Sequence, residues 1–216
     1  MLSSEHVQLR LREIAVRVFD ELPLDALPPE LSTSAVLLLL WPVGNGVRLA
    51  LTRRSSQLRA HPGQIALPGG YCEPGEHPYD AALREAFEEI GVLRSTIEVC
   101  GRLDDAWSST GSRVVPVVAW SETAPVLVAN GYEVDEVIVV ELADVLDPRN
   151  HRIKTVELGT VYYDDDVLRC GDVTIYGMTA DIVIDLRDWI LGTERRRVAA
   201  RAEGLRSFIK HRPRAG

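Results

Sequence analysis

Residues 69 to 92, GGYCEPGEHPYDAALREAFEEIGV, join a pair of glycines to a helix whose two ends are clearly marked. Pro78 is well placed for the first position of a helix, and Gly91 for the residue that follows its last turn. The apolar residues between them recur at helical spacing and form one stripe, namely Tyr79, Ala82, Leu83, Ala86 and Ile90. The segment therefore predicts a tight turn followed by an amphipathic helix.

Three glutamates on this helix, Glu85, Glu88 and Glu89, are spaced i, i+3 and i+4 and lie largely off the apolar stripe. Like charges at that spacing repel by roughly 0.2–0.5 kcal/mol per pair on an exposed helix. One interpretation is a solvated helix face, which Arg84 and Arg94 partly neutralise. The other is a set of carboxylates that converge on a divalent cation, since hard ions such as Mg²⁺ take oxygen ligands.

The spacing of charged residues and glycines in this segment follows the pattern Gx5Ex7REUxEExGU. The residues at its specified positions are Gly70, Glu76, Arg84, Glu85, Glu88, Glu89 and Gly91, with the small Ala86 at the first aliphatic position. In this pattern the segment resembles the Nudix box, which favours the metal-site interpretation. The resemblance implies an α/β (α+β) Nudix fold, with a mixed β-sheet sandwiched between helices. It also implies hydrolysis of a nucleoside diphosphate that is joined to another group.

The same resemblance implies a set of metal ligands for Mg²⁺ or Mn²⁺. Glu85 and Glu89 are expected to be the main ligands, one helical turn apart, with Glu88 as a further ligand. A main-chain carbonyl of Gly69 or Gly70 is expected to complete the protein's share of the coordination.

Further roles follow from the resemblance for residues around the ligands. Arg84 is expected to hold the Glu85 carboxylate through charge-assisted hydrogen bonds, and Glu76 to orient the loop before the helix. A catalytic base is also required, and two candidates stay open: Glu88 within the box, and Glu136 in the later stretch GYEVDEVIVV.

The segment before the box, LTRRSSQLRAHPGQIALPGG (51–70), resembles the signature of coenzyme A diphosphatases, LLTxRSxxxRxxxGxxxFPGG. The matching residues are Leu51, Thr52, Arg54, Ser55, Arg59, Gly63, Pro68, Gly69 and Gly70. The resemblance implies substrate binding by Arg54, Ser55, Arg59 and Gly63. Coenzyme A carries a 3′-phosphate besides its pyrophosphate, and paired guanidinium groups suit phosphates. Alternatively, one or both arginines pair with nearby acids on a surface loop.

The implied reaction is hydrolysis of coenzyme A or acyl-CoA to 3′,5′-ADP and (acyl-)4′-phosphopantetheine. One alternative is a hydrolase of ADP-ribose or of another nucleoside diphosphate derivative on the same fold. A second alternative is a non-catalytic Nudix module that binds a nucleotide to regulate a partner.

Strands outnumber helices in the rest of the chain. Strands are predicted over 34–41, 47–54, 65–67, 97–103, 113–120, 136–141, 160–163 and 172–176, and further helices over 4–20, 142–146 and 178–191. Asn45-Gly46 predicts a hairpin turn, Pro68-Gly69-Gly70 is expected to break regular structure, and the apolar run 35–41 predicts a strand that is buried on both faces. A helix and proline-rich connector (1–33), a Nudix domain (34–192) and a basic tail (193–216) are the expected divisions.

Composition limits the partners and the compartment. The 216-residue chain has a formal net charge of −8, which argues against general binding to nucleic acid because that needs a basic surface. Three widely separated cysteines indicate neither a disulfide framework nor a zinc site. The N-terminus lacks a signal-peptide pattern, and the longest apolar run is too short to span a bilayer. A cytoplasmic protein with a small nucleotide substrate and no membrane partner is therefore predicted, while its oligomeric state stays open.

Overall fold

The computed structural model describes residues 2–16, 32–107, 112–158 and 161–193, and these residues form eleven strands and four α-helices. The helices are α1 (Ser4–Arg12), α2 (Pro78–Ile90), α3 (Leu142–Leu146) and α4 (Gly177–Leu191). The strands are β1 (Thr33–Val43), β2 (Gly46–Arg54), β3 (Ile65–Ala66), β4 (Gly69–Tyr71), β5 (Glu98–Arg102), β6 (Ala106–Trp107), β7 (Arg113–Trp120), β8 (Val134–Glu141), β9 (His151–Leu158), β10 (Val161–Cys170) and β11 (Val173–Tyr176).

Strand β1 lies in the middle of an eight-stranded mixed sheet. It pairs in parallel with β7 and antiparallel with β2 and β4, while β8 pairs antiparallel with β2. Successive side chains of a strand point to opposite faces of its sheet. Leu38 and Leu40 enter one core cluster, whereas Leu37 and Leu39 enter the other. The prediction that the apolar run 35–41 is buried on both faces is confirmed.

Helices cover both faces of this sheet. On one face, Ala82 and Ala86 of α2 share a core cluster with alternate residues of β1. On the other face, α1 and α4 contribute Leu11 and Val183 to a second cluster, which also includes residues of β10 and β11. The observed architecture is therefore a mixed sheet between helices, as predicted, and the α+β class is confirmed.

Helix α1 is fastened to α4 by two reciprocal hydrogen bonds. The Arg10 guanidinium donates through Nη2 to the carbonyl of Trp189 at 2.8 Å, and Trp189 Nε1 donates to the carbonyl of Arg10 at 2.8 Å. Val7 of the same helix is buried in the core cluster that α4 shares. The first helix of the chain is thus packed as part of the same core as the last described helix.

Helix α2 begins and ends where the sequence predicts. His77 is its N-cap and accepts a hydrogen bond from the N–H of Tyr79 at 3.3 Å, and Pro78 is the first helical residue. Gly91 follows the last turn in the left-handed region with φ of 72°, and its N–H donates to the carbonyl of Phe87 at 2.9 Å. A side chain at this φ would be strained, which explains why the helix ends at a glycine.

Two predictions about turns are corrected. The hairpin turn between β1 and β2 is centred on Gly44 and Asn45, with the positive φ of 56° at Gly44, and Gly46 already belongs to β2. Gly69 does not break regular structure, because it begins strand β4, which pairs with β1. A β-carbon at Gly69 would lie 2.3 Å from the carbonyl oxygen of Ala35, so this pairing requires a glycine.

Several predicted elements differ in extent from the observed ones. The helix predicted over 4–20 ends at Arg12 and continues as a 3₁₀ turn over Glu13–Val16, while residues 17–31 lie outside the described residues. The proline-rich connector predicted before residue 34 falls largely in that gap, and the basic tail beyond Thr193 is also outside the described residues. The strand predicted over 160–163 is the longer β10, whose partner β9 the sequence does not predict. These two strands are defined by pairing with each other along their length.

Cys72, Cys100 and Cys170 are free thiols, and Cys100 and Cys170 are buried. None of the helices in the described parts of the chain has the length and hydropathy needed to cross a bilayer.

Candidate active site

The three glutamates of α2 differ in burial although they lie within two turns. The Glu88 side chain is 53% exposed and that of Glu85 is 14% exposed, whereas Glu89 is only 3% exposed. The expectation that the glutamates lie off the buried face holds for Glu88 and is wrong for Glu89. A charged residue is almost never fully buried without a partner, so a simple solvated face does not account for this cluster.

The paired glycines of β4 pack directly against the two less exposed carboxylates. The N–H of Gly69 donates a hydrogen bond to Glu89 Oε2 at 3.0 Å. A β-carbon at Gly70 would lie 2.5 Å from the carboxyl carbon of Glu85, well inside contact distance. The strand and the helix can therefore approach this closely only because Gly70 has no side chain.

Arg84 joins the loop before α2 to the carboxylates on the helix. Its Nε and Nη2 atoms donate to the two carboxylate oxygens of Glu76, each at 2.9 Å, and Nη1 donates to Glu85 Oε1 at 2.9 Å. The guanidinium also reaches Glu88 Oε2 at 3.4 Å and the carbonyl of Tyr71 at 3.0 Å. The bidentate pair with Glu76 restricts the orientation of the guanidinium, which then holds the Glu85 carboxylate from one side through a single hydrogen bond.

Burial and charge act in opposite directions on the carboxylates of the site. Desolvation raises the pKa of Glu85, and it raises the pKa of Glu89 to about 7 in spite of the hydrogen bond from Gly69. Hydrogen bonds from Arg84 and from the N–H of Glu73 lower the pKa of Glu76 to about 2. The site thus holds two carboxylates whose ionised form is disfavoured, next to one whose ionised form is stabilised.

Two further charged residues act on the buried carboxylates from outside the box. The negative charge of Glu133 raises the pKa of both Glu85 and Glu89, and the positive charge of Arg54 lowers the pKa of Glu89. Arg54 is the last residue of β2 and lies opposite Val134, the first residue of β8. Both charges therefore belong to the end of the sheet beside α2. Arg54 was a predicted site residue, whereas Glu133 was not.

The segment that carries the other predicted substrate-binding residues closes on itself beside Arg54. The N–H of Gly63, with φ of 70°, donates to the carbonyl of Arg54 at 3.0 Å. Ser55 is buried, and its N–H donates to the carbonyl of Glu133 at 2.7 Å. Arg59 is exposed on the same loop. The structure thus brings Arg54, Ser55 and the Glu133 segment together and places Arg59 further out on the surface.

Glu136, a predicted candidate for the base, lies on the exposed side of β8. Its Oε2 atom accepts from Arg53 Nε at 3.0 Å across the β2–β8 pair. Glu133 comes from the same sequence stretch but precedes the strand. The two glutamates are distinguished by the position at which β8 begins. Because the strand begins at Val134, Glu136 belongs to the strand and Glu133 belongs to the loop before it. That boundary depends on pairing with β2.

The residues of the site fit an oxygen-liganded divalent cation. Among the residues that the structure describes, no three His, Cys, Asp or Glu side chains already converge as a closed metal site. The donor set is nevertheless the one that Mg²⁺ prefers, with carboxylates of Glu85, Glu88 and Glu89 and a carbonyl from Gly69. The missing side chain at Gly70 leaves the space that the Glu85 carboxylate occupies. A nearby cation would also favour the ionised form of the buried Glu89.

With this geometry established, the chain can be placed among known proteins. The model of the family described as the NUDIX domain matches residues 32–157, which is more than half of the chain. The chain therefore belongs to the Nudix family, and the family predicted from the box is confirmed.

Three relatives illustrate the similarity. Nudix hydrolase 22, chloroplastic, of Arabidopsis thaliana is 36% identical over 161 residues, which cover 70% of this chain and 53% of that protein. Nudix hydrolase 3 of Caenorhabditis elegans is 35% identical over 119 residues, which cover 53% of this chain and 50% of that protein. The uncharacterized Nudix hydrolase NudL of Photorhabdus laumondii is 34% identical over 139 residues, which cover 64% of this chain and 74% of that protein. The chain thus spans about half the length of the first two relatives.

Proposed function

We propose that this Nudix protein is a divalent-metal-dependent diphosphatase that hydrolyses the pyrophosphate bond of coenzyme A or acyl-CoA. The products are 3′,5′-ADP and (acyl-)4′-phosphopantetheine. The observation that carries the hydrolase proposal is the close packing of Gly69 and Gly70 against Glu89 and Glu85, which assembles backbone and carboxylate oxygens at one place. The observation that favours coenzyme A is the signature-like segment 51–70, which leads directly into these glycines.

In this proposal Glu85, Glu88 and Glu89, with the Gly69 carbonyl, hold Mg²⁺ or Mn²⁺. A bound ion of this kind supplies charge neutralisation on the phosphate oxygens and makes water a better nucleophile. Arg84 has the role of holding the Glu85 carboxylate in place, which the 2.9 Å hydrogen bond between them supports. The exposed Glu88 remains accessible to solvent and substrate.

The proton of the attacking water requires a base, and three carboxylates are candidates in this chain. Glu88 and Glu136 are the two that the sequence indicates. Glu136 is already paired with Arg53. Glu133 influences the charge state of Glu85 and Glu89, and its side chain is exposed. We therefore favour Glu133 as the base or as the residue that orients the attacking water, with Glu88 as the alternative.

The segment from Arg54 to Gly63 is the proposed substrate-binding loop. Arg54 lies next to the carboxylate site, where phosphate charge has to be neutralised, and Arg59 is exposed further along the loop. A guanidinium binds phosphate oxygens in a bidentate manner, which suits both positions. The catalytic unit is proposed to comprise residues 34–192. A reducing, cytoplasmic setting is proposed as well, since disulfides form and persist in oxidising compartments and the three cysteines are free thiols.

The test is an assay of the purified full chain with Mg²⁺ or Mn²⁺ against coenzyme A, acetyl-CoA, dephospho-coenzyme A, ADP-ribose and a nucleoside diphosphate sugar. We expect the highest kcat/KM for coenzyme A or its thioester, with 3′,5′-ADP as a product and no turnover in EDTA. A higher kcat/KM for ADP-ribose than for coenzyme A would mean that the proposed substrate is wrong, whereas the proposed hydrolysis of a pyrophosphate bond would stand. Binding of a nucleotide without turnover under any metal condition would favour a non-catalytic module and contradict the proposal.

A further inference from the structure

Residues 128–135 end the connection between β7 and β8 and include the first two residues of β8, and they are tied to α2 by main-chain hydrogen bonds. The N–H of Val128 donates to the carbonyl of Ile90 at 2.9 Å, and the N–H of Asn130 donates to the carbonyl of Glu89 at 3.0 Å. The segment is therefore anchored at the backbone of the residue whose side chain is the most buried carboxylate of the site.

The side chain of Asn130 organises the next four residues. Its Oδ1 atom accepts three hydrogen bonds, from the N–H groups of Tyr132 at 3.0 Å, Glu133 at 3.1 Å and Val134 at 3.1 Å. The turn is closed by the N–H of Gly131, which donates to the carbonyl of Val134 at 3.0 Å. One amide oxygen thus holds the backbone on both sides of Glu133 and at Glu133 itself.

Glu133 is held from the opposite direction as well. Its carbonyl accepts the N–H of Ser55 at 2.7 Å, and the neighbouring Asp135 accepts the N–H of Ser56 at 3.0 Å. Among the described residues its carboxylate has no hydrogen bond and no ion pair, and the residue is exposed. Its backbone is consequently fixed through both polar groups, while its side chain is left available.

We propose that Asn130 is a positioning residue, which fixes the Glu133 carboxylate beside Glu85 and Glu89 so that it can act on the water or the substrate. This inference rests on the proposed function. It names Asn130 as the residue that keeps the loop before β8 in a fixed position relative to α2. The main-chain bond from Asn130 to the carbonyl of Glu89 supports the required proximity, because it fixes the start of this turn against the helix that carries Glu85 and Glu89. The anchor to Glu89 is a main-chain bond, so a change of the Asn130 side chain leaves it in place.

A double-mutant cycle tests the inference at saturating Mg²⁺. Glu133→Gln should lower kcat by about 10²-fold, as loss of a proton-transfer group typically does. Asn130→Ala should lower kcat by about 10-fold to 100-fold, the usual effect of removing a residue that orients a catalytic group. Asn130→Asp should retain most of the activity, because its carboxylate can still accept the three N–H groups. The cycle separates a positioning role of Asn130 from an independent role, because residues that act through one another give non-additive effects.

The decisive measurement is Asn130→Ala in the Glu133→Gln background. We expect little further loss of kcat there, and a metal concentration for half-maximal activity that is the same in all four proteins. A full additional loss in the double variant, or normal kcat in Glu133→Gln, would overturn the inference even though wild-type hydrolysis would still support the proposed function. If Asn130→Ala does not fold in a thermal melt, Asn130→Ser in both backgrounds replaces it, and Asn130→Asp stays the conservative control.

Discussion

The Cα of Gly70 lies so near the Glu85 carboxylate that an added β-carbon would be 2.5 Å from the carboxyl carbon. Glu85 is held on another side by Arg84 at 2.9 Å, so its carboxylate has little freedom to move away. A glycine of a strand and a glutamate of a helix thus set the distance between the two elements of the candidate site.

Gly70→Ala should displace Glu85 and lower kcat by about 10-fold to 100-fold at saturating metal, since a small displacement at a reacting centre is costly. The matched control is Gly46→Ala, because the nearest atom to a β-carbon there is 3.6 Å away and its backbone needs no positive φ. Turnover and thermal melting should be measured for both. Equal activity of the two variants would show that the close approach at Gly70 has no catalytic consequence.

Glu85→Gln and Glu89→Gln should each lower kcat by orders of magnitude, with every tenfold loss corresponding to about 1.4 kcal/mol of barrier. Both proteins should still fold, because glutamine keeps the volume of the side chain. In Glu89→Gln the new amide oxygen can still accept the N–H of Gly69. Metal titrations should show that each variant needs a higher Mg²⁺ concentration for half-maximal activity. Near-normal turnover in either variant would remove that residue from the set of main ligands.

The stability of the metal-free protein should fall as pH rises from about 4.5 to about 7. Burial raises the pKa of Glu89 from 4.5 to about 7, so in that window the folded state binds more protons than the unfolded state. The contribution is complete below the lower value and is lost above the upper one. Melting in EDTA across this range should show the decline in wild type and a shallower one in Glu89→Gln.

The control for that experiment is Glu88→Gln, on an exposed residue of the same helix. We expect its melting temperature to follow pH as the wild type does, with a shift of no more than a few degrees between the two. Added Mg²⁺ should stabilise the wild type most at the alkaline end, where an ionised Glu89 is available to bind it. A pH dependence that is identical in Glu89→Gln and wild type would show that another group is responsible.

Arg54→Ala and Arg59→Ala should separate two kinds of phosphate contact. The positive charge of Arg54 acts on Glu89, and its buried Nε has no hydrogen-bond partner among the described residues, so its replacement should lower kcat/KM for coenzyme A and dephospho-coenzyme A alike. Arg59 is exposed on the loop, and its replacement should matter more for coenzyme A if it contacts the 3′-phosphate. A lost hydrogen bond to a charged group is worth about 1.5–3 kcal/mol, or one to two decades in kcat/KM.

The assignment of the two arginines depends on comparing both substrates with both variants. Equal losses for the two substrates in Arg59→Ala would mean that Arg59 does not distinguish the 3′-phosphate. Unchanged kinetics in Arg54→Ala would mean that its buried guanidinium supports the loop without contacting substrate.

Truncation after Gly192 should leave hydrolysis largely intact, because the glutamate cluster and the substrate-binding loop both precede it. The measurement is kcat/KM for the best substrate, together with a melting curve and the mass in solution. A well-folded truncated protein that loses most of its activity would show that residues 193–216 reach the site or hold a required assembly.

Local sequence signals predicted α2 almost completely, since a proline at its start and a glycine after its end act within a few residues. They also indicated Gly69, Gly70 and the three glutamates as a candidate site, and the structure packs Gly69 and Gly70 against two of these carboxylates. They did not predict that Glu89 would be buried, because its environment is formed by β4 and by the segment at Asn130, which reach it through tertiary pairing.

The same reason explains the elements that the sequence does not predict. Strand β9 and the part of β10 beyond residue 163 carry charged residues such as Lys154 and Asp164 where an apolar alternation would be expected, and the two strands pair with each other along their length. Glu133 stands apart from Glu136 only once the start of β8 is known, and that start is set by its pairing with β2. Signals that span a few residues therefore describe α2 and its glutamates. Pairings between distant segments decide which other charged residues lie near these glutamates.

The reciprocal hydrogen bonds between Arg10 and Trp189 have a consequence for the order in which the chain acquires its structure during translation. The two residues are 179 positions apart, so these hydrogen bonds between α1 and α4 cannot form until the chain between them has been made. At about 5–20 residues per second, that interval is on the order of ten seconds or more. During this time Val7 and Leu11 of α1 lack the part of their core cluster that α4 supplies, so the packing of the first described helix is completed among the last steps of synthesis.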